Sequence, residues 1–598
     1  MKPGEAGNDR TVVDAAIGKA LRLARSGRAG EAIDVLRRDR VATNHPAGCN
    51  VLGMLLMQAG AAGPALSCFD KAVALAPGFA DAHCNRGVAL QQLERLDEAL
   101  AAYQAALSVS PGHLDALINS GSALKLLGRN DEAVQAFDRA LSLKPDFAEA
   151  ALKRAYVHMA REDHEASLHD FEHVLRLQPA RAEAALGRVS ALISLKRFEA
   201  ALAGVDRILA AQPDDTDAAV VRGQILVELD RPVEALEGAE GLLGRGLGGS
   251  KAHIVRAAGL WQLGRRAEAI VAAEGAVRDH PDDVQIRQAL SQYYLGTGDL
   301  VHGWDAYEFR SGTFDKRQEA VEKLAPRWTG ETLDGKTILV FAEQGVGDTI
   351  QFARFLASLV ERGAKVKALV QPALLRLVGS FPMPVAWFDR VAAVGDFDYQ
   401  IPLLSLPRVF GTGIDSIPAA VPYFAPDRQA VADWRERIGD HGTRVGVIWQ
   451  GNPHYGNDRR RSAPLRHYAP LAALPGVRLI SLQAVHGLDQ LENLPEGMAV
   501  ESLGEKVTAN PEGVSEIAAA MEVLDLVVSS DTAMAHLAGA LGRPVWVAVS
   551  DDPDWRWLFD RDDSPWYPTM RLFRQTRRGD WAGVFARIAA ALQGRTGR

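Results

Sequence analysis

Prolines recur every 34 residues through the first half of this chain, at Pro77, Pro111, Pro145, Pro179 and Pro213, and few folds accommodate so strict a period. The next step lands on Leu247, inside the glycine-rich GRGLGGS, and the one after it on Pro281. Further registers keep the same step. Twelve residues before each of these positions stand Ala65, Ala99, Ala133, Ser167, Ala201, Ala235 and Ala269. Eight before them stand Phe69, Tyr103, Phe137 and Phe171, fading to Val205, Ala239 and Ala273. Near the start of each unit the series reads Gly53, Gly87, Gly121, Ala155, Val189, Gly223 and Ala257. Small residues let two antiparallel helices approach closely. The aromatic is expected to fill the groove made with the next unit, and the proline ends the second helix because it has no N–H for the helical ladder.

A helix pair repeated at this step is the signature of tetratricopeptide (TPR) repeats. Seven full units span 46–283. Residues 1–45 are expected to hold an N-terminal extension and a degenerate capping repeat, with Glu31-Ala32 at the repeat position, and 284–330 capping helices and a linker. Such arrays wind into a superhelix whose concave face takes peptide segments. Asn85 and Asn119 are candidate peptide-binding residues, because they occupy equivalent positions in adjacent units and an amide there can bond a peptide backbone. The alternative is that both are solvated polar positions. Taken alone, the array predicts an interaction surface and no chemistry.

At 598 residues the chain exceeds what one core can hold, so further domains must follow the repeats. Its net charge of -8 offers no case for a nucleic-acid partner. Cys49, Cys68 and Cys84 are odd in number and lack CxxC spacing, which argues against a disulfide framework or a zinc site. The opening MKPGEAGNDR lacks the apolar core of a signal peptide, and no uninterrupted apolar run reaches the roughly 18 residues of a membrane span. A cytoplasmic protein without a membrane span is expected.

From about residue 331 the pattern changes to strand–helix alternation, hence a parallel α/β layer. TILVFA (337–342), KVKALV (365–370) and DYQIPLLSL (398–406) read as strands, with a helix running from the first of them through Glu361. After the proline-punctuated IPAAVPYFAP the alternation restarts with RVGVIW (444–449), VRLISL (477–482), LDLVVS (524–529) and PVWVAV (544–549). Two α/β halves are expected, 331–425 and 426–598. Ligands of such sheets bind beyond the carboxyl ends of the strands. That rule selects EQGVGD (343–348), QGNPHYGNDRRRS (450–462), the turn after LISL, and SSDTAMAH (529–536).

Each segment carries candidate chemistry and a plain structural alternative. Gly345 and Gly347 let a ligand approach the backbone. Asp348 is either the N-cap of the helix TIQFARFLASLV or a cleft carboxylate able to act as general base. Arg459, Arg460 and Arg461 suit phosphate through forked hydrogen bonds, or form a solvated basic loop; Gly451 and Asn452 directly after the strand favour a ligand. The helix AMAHLAGALG begins just after Asp531 and Thr532, and free N–H groups at its start suit an anion. His536, one turn in, is a cleft residue or a partly buried histidine at a strand end. No GxxxxGKS or GxSxG is present, and the DxD at Asp396–Asp398 sits in an apparent strand.

Together these segments resemble the GT-B glycosyltransferases of the bacterial heptosyltransferase-like type (glycosyltransferase family nine) across roughly 335–590. DTAMAHLAGALGRP (531–544) is similar to that family's D-T-G-x-x-H-x-A-A-x-x-x-x-P donor-site stretch, with Ala533 in place of the usual glycine. GVGD (345–348) matches the family's glycine–aspartate turn, and NDRRRSAPL (457–465) its basic donor-phosphate loop. The joint run of EQG-x-GDTIQF, W-x-GN…NDR-x-RS-x-PL and SSDTA-x-AHLAGALG-x-PVW resembles bacterial TPR-fused glycosyltransferases, some of which modify flagellins. The layout is similar, in architecture only, to O-linked N-acetylglucosamine transferases.

The resemblance implies a multidomain protein: an all-α TPR superhelix followed by a GT-B domain of two Rossmann-like α/β halves. It implies an inverting transferase with Asp348 as catalytic base and a donor site of Gly451, Asn452, Arg461, Ser462, Asp531, Thr532, Ala533 and His536. Gln344, Gly345, Gly347 and Arg556 are further cleft candidates, the last from DWRWLFDRDDSPWYP (554–568), where Trp555 and Trp557 serve either the cleft or packing between the halves. No metal or resident cofactor is implied. The co-substrate is a nucleotide sugar, a CMP-linked nonulosonic (sialic-acid-like) sugar being the first to try, and the partner a protein acceptor such as flagellin. A glycolipid or polysaccharide acceptor, and a non-catalytic scaffold, are the rival readings.

Overall fold

The computed structural model describes residues 5–313, 321–453, 458–504, 507 and 513–596. The linker stretch 314–320 and the loop residues 454–457 therefore lie outside the described residues. The chain forms two compact units, Met1–Leu242 and Leu243–Arg598. The division falls at the one place where the 34-residue period misses its proline. There GRGLGGS turns through three left-handed glycines, Gly246, Gly248 and Gly249 (φ 70°, 81° and 50°).

The first unit is the TPR array. A capping pair, Glu5–Arg25 with Ala29–Arg38, precedes Pro46–Gln58 with Ala62–Leu75, Ala80–Gln92 with Leu96–Val109, and their successors to Thr216–Glu228. The small and aromatic registers meet inside each pair. A Cβ on Gly53, Gly87 or Gly121 would run into the ring of Phe69, Tyr103 or Phe137 of the same pair. These aromatics thus pack within their own pair, and Phe137 also borders an opening with Lys153 and Tyr156 of the next pair. Phe171 lies against Gly187 of the next pair, as expected, and edge-on to Tyr156 of its own at 5.2 Å.

The second unit opens with two more helix pairs, Gly249–Gln262 with Arg266–Asp279 and Val284–Gly296 with Leu300–Tyr307. Two parallel sheets follow. The first contains β1 (Thr337–Phe341), β2 (Lys365–Leu369), β3 (Val385–Phe388) and β4 (Tyr399–Pro402) in the order β3-β2-β1-β4. The second contains β5 (Thr443–Ile448), β6 (Val477–Ser481), β7 (Val500–Ser502), β8 (Leu526–Ser530), β9 (Val545–Val549) and β10 (Met570–Arg574) in the order β10-β9-β8-β5-β6-β7. Each sheet sets its first strand beside its fourth, so the strand order reverses there and a crevice opens at the carboxyl ends.

The strands that sequence reading missed, β3, β7 and β10, are all sheet edges. The predicted long helix after β1 is two, Val346–Phe352 and Phe355–Glu361. Asp396–Asp398 is not a strand but the approach to β4. Asp398 accepts from the Thr337 N–H (2.8 Å) and Lys336 Nζ (3.2 Å) at the amino end of β1, the wrong end for the crevice.

One apolar core joins the last helix pair to both sheets: Trp304 packs edge-on against Trp555 (5.4 Å) and Phe352 (6.0 Å). Arg354, buried, donates to the Pro418 carbonyl (3.0 Å), the Trp566 carbonyl (2.5 Å) and Tyr423 Oη (3.1 Å), fastening the two α/β halves together.

Candidate active site

A cavity of about 690 Å³ lies where the carboxyl ends of β1, β5, β6 and β8 face the loop after β9. It brings together Gln344, Gly345, Gly347, Asp348, Gly451, Asn452, Arg461, Asp531, Thr532, Ala533, His536 and Arg556. Ser462 is not on its wall.

Gly345 is the N-cap of Val346–Phe352, so the helix starts three residues earlier than expected and Asp348 is its third residue rather than its cap. Asp348 Oδ2 reaches back to accept the Gly345 N–H at 2.9 Å, half of a capping box. Its other oxygen pairs with Arg556. Capping and a cleft role therefore use different oxygens of one carboxylate. Gly347, on the cavity wall, also permits close packing: a Cβ there would stand 3.1 Å from Ala533 Cα. The helix Ala533–Ala540 carries a methyl at its first position because the facing helix carries none.

Beyond β5, the Gly451 N–H donates to Ser462 Oγ (3.1 Å), whose hydroxyl donates to the buried Asp458 carboxylate (3.0 Å). Arg461 Nε bonds the same carboxylate at 3.3 Å. A side chain on Gly451 would collide with that guanidinium, so the glycine lets Arg461 fold over the strand end. Ser462 is thus a brace for this loop. Asp458–Arg461 form a single helical turn; Arg459 is exposed and Arg460 faces Asp552 at 3.7 Å. After β6, the Gln483 side-chain oxygen accepts from the N–H groups of Trp449 (3.1 Å) and Gln450 (3.2 Å), holding the floor. Val485, 71% exposed, stands at the rim.

Charge is concentrated at Arg556. Its guanidinium pairs with Asp348, donates to Asp554 Oδ1 (2.9 Å) and Gln351 Oε1 (2.8 Å), and lies 4.2 Å over the Trp555 ring. Sequence reasoning missed Asp554 and Gln351. Both stand within quoted segments, yet only the fold makes them partners of one cation. Trp555 packs in the core, and Trp557 stacks on His536 at 5.1 Å. Burial raises the Asp348 carboxyl above its ordinary value against the pull of Arg556, and Asp554 adds to the rise. Burial, and the guanidinium groups of Arg556, Arg354 and Arg461, hold His536 well below its usual value. Its imidazole is therefore neutral, with Nδ1 3.2 Å from Tyr567 Oη.

Burial and the neighbouring Asp554 push Asp531 up to about 6. A carboxyl raised above its unfolded value stabilises the fold fully below that unfolded value and ceases to do so as pH climbs through about 6. Asp531→Asn is accordingly expected to raise the melting temperature at pH ~8 and to change it little at pH ~4. Thermal melts at the two pH values check this, and a shift of equal size at both would assign the effect to packing.

Asn85 and Asn119 belong to the first unit. Asn85 Nδ2 donates to Asn50 Oδ1 of the preceding pair at 2.9 Å, and Asn119 Nδ2 approaches Cys84 Sγ at 3.8 Å. Both amides thus donate within the array.

Tetratricopeptide repeat models match residues 50–113, 84–148 and 119–182, and a second such model matches 158–238. Protein FlbA of Caulobacter vibrioides is 27% identical over 350 residues, covering 52% of this chain. The chain spans about half the length (56%) of that curated relative. Among solved structures, a tetratricopeptide repeat protein from Parabacteroides merdae covers 41% of this chain and 97% of its own at 16% identity and TM-score 0.32. A thermophilic TPR protein of Thermus thermophilus covers 30% and 99% at 21% identity and TM-score 0.27. Among the described residues, no helix is long and apolar enough to cross a membrane.

Proposed function

We propose that this chain is a nucleotide-sugar-dependent glycosyltransferase of the GT-B type that modifies a protein. The observation that carries the reading is convergence: Gly345–Asp348, Gly451, Asn452 and Arg461, and Asp531–Met534 with His536, distant in sequence, line one cavity with Asp554 and Arg556. In this reading Asp348 accepts the proton of an acceptor hydroxyl while the hydroxyl oxygen forms its bond to the anomeric carbon. The bond from that carbon to the nucleotide phosphate breaks, and the leaving charge falls to the start of the helix Ala533–Ala540 and to Arg461. A raised carboxyl is a better proton acceptor than an ordinary aspartate once its pairing with Arg556 is loosened by substrate. The neutral His536 can donate or accept one hydrogen bond to the donor but brings no charge to it.

By the resemblance described above, the acceptor is a flagellin or similar filament subunit, held by the TPR array and modified on Ser or Thr, and the donor a CMP-linked nonulosonic sugar. The test is intact-mass spectrometry of flagellin from a deletion strain, joined to incubation of purified protein and flagellin with a panel of labelled nucleotide sugars. The expected result is loss of the sugar mass in the strain and its restoration in vitro. Unaltered flagellin mass overturns the acceptor assignment, and no label transferred to any protein overturns the transferase reading. Arg461→Ala is expected to weaken donor binding by about 1.5–3 kcal/mol, the value of a charge-assisted hydrogen bond, with acceptor binding unchanged. Calorimetric titration of the nucleotide sugar checks it; an unchanged Kd removes Arg461 from the site.

A further inference from the structure

The TPR array carries an opening that its own periodicity does not call for. Between helices His164–Leu177 and Phe198–Ala211, where both meet Ala182–Ser194, lies a cavity of about 560 Å³. Its floor is apolar, with Leu175, Leu186 and Ile208. Leu186 is 38% exposed, whereas Ile118, Leu152 and Val220 at the equivalent positions of other units are only 5%, 3% and 3% exposed. Gly204 also leaves out the side chain that Asp170 supplies one unit earlier.

The rim is basic, on a chain whose net charge is -8. Four arginines line it, against two acids that are already engaged. Glu172 bonds Arg188 at 3.0 Å, and Asp215 accepts from the Ala218 N–H at 2.9 Å to cap the next helix. Arg181 is matched by Glu149 (3.1 Å) and Glu183 (2.9 Å). Arg176 and Arg207 are exposed and pair with no carboxylate among the described residues; Arg176 lies 3.3 Å from His173 Nδ1. The groove therefore presents an apolar slot flanked by two cations whose charge nothing within the array neutralises.

We propose that this groove docks an acidic peptide segment of a partner protein, one large apolar side chain entering the slot over Leu186 while flanking carboxylates meet Arg176 and Arg207. The apolar contact supplies most of the affinity, and the arginines supply the sign preference and the on-rate. This surface lies in the first unit and shares no residue with the cleft.

The test is fluorescence anisotropy on the full-length protein with two labelled synthetic peptides. Each carries one phenylalanine in a Gly/Ser frame, flanked by glutamates in one and by lysines in the other. The expected result is saturable, salt-sensitive binding of the glutamate peptide alone, weakened about tenfold by the double substitution Arg176→Glu, Arg207→Glu. The same double variant should then take the lysine peptide. Leu186→Ser should weaken both variants' preferred peptides alike. Both arginines are exposed, so circular dichroism should show an unchanged fold. Equal binding of the two peptides, indifference to the double substitution, or no binding at ~1 mM peptide overturns the proposal. So does light scattering that shows the protein associating with itself through this groove, lost in the double variant.

Discussion

Asp348→Asn is expected to lower transfer by ~10²–10⁴-fold, the usual contribution of a general base, while the protein stays folded. The substitution separates the capping bond made by one oxygen from the role proposed for the oxygen that pairs with Arg556. An asparagine side-chain oxygen still accepts the Gly345 N–H that Asp348 Oδ2 accepts at 2.9 Å, so the helix start is preserved. What disappears is the negative charge facing Arg556 and with it the capacity to take a proton. Removing one member of a buried ion pair costs about 3–5 kcal/mol when the survivor is left unpaired. Here Arg556 retains Asp554 at 2.9 Å and Gln351 at 2.8 Å, so the loss should fall below that range. Turnover, donor binding by calorimetry, and thermal melting together decide. Full activity in the variant would reduce Asp348 to a capping residue. Asp554, on the other side of the same guanidinium, would then be the carboxylate to substitute next.

The second large effect belongs to the cation. Arg556→Met is expected to destabilise the α/β unit by about 3–5 kcal/mol at neutral pH, because Asp348 and Asp554 then confront each other with no positive charge between them. Asp531 joins them, since Arg556 is one of the charges that restrain its rise. The sign of the pH dependence follows. Without the guanidinium the Asp348 and Asp531 carboxyls rise further above their unfolded values, so their stabilising effect is full near the bottom of the carboxylate range and is lost as pH increases. The gap between variant and wild type should accordingly widen from pH ~4 to pH ~8. Melts across that interval check it. A gap that is constant with pH would trace the loss to the stacking of Arg556 on Trp555 instead of to charge.

Much of the molecule is legible without coordinates because its contacts are local. Early steps of the 34-residue register repeat one packing event, Gly53, Gly87 and Gly121 under Phe69, Tyr103 and Phe137 of the same helix pair, and a proline follows each. The missing proline at Leu247, amid GRGLGGS, coincides with the division between the two units. The inner strands β1, β2, β5, β6, β8 and β9 are readable as continuous apolar runs because a parallel strand is buried on both faces. Of the edge strands, β4 is announced within DYQIPLLSL, whereas β3, β7 and β10 carry no such signal. β7 is three residues long and largely exposed, and β3 has one fully exposed position and three half-buried ones.

The candidate site divides along the same line. Gly345–Asp348, Gly451 with Asn452, and Asp531–His536 each follow a strand end, and a strand–loop–helix junction is a local pattern that sequence alone determines. The tertiary structure decided what these segments do to one another. Asp348 and Arg556 are 208 residues apart, and neither residue's neighbourhood in sequence predicts that they pair. Only the fold shows that Gly347, besides lining the cavity, makes room for the helix bearing Ala533. His536 reads as a cleft residue or a partly buried histidine, and only the fold shows that loss of solvent and three arginines from separate segments make its cationic form costly. Charge state and close approach are set by whatever else occupies the surrounding volume, and that is fixed by how distant parts of the chain pack, not by the order of residues along it.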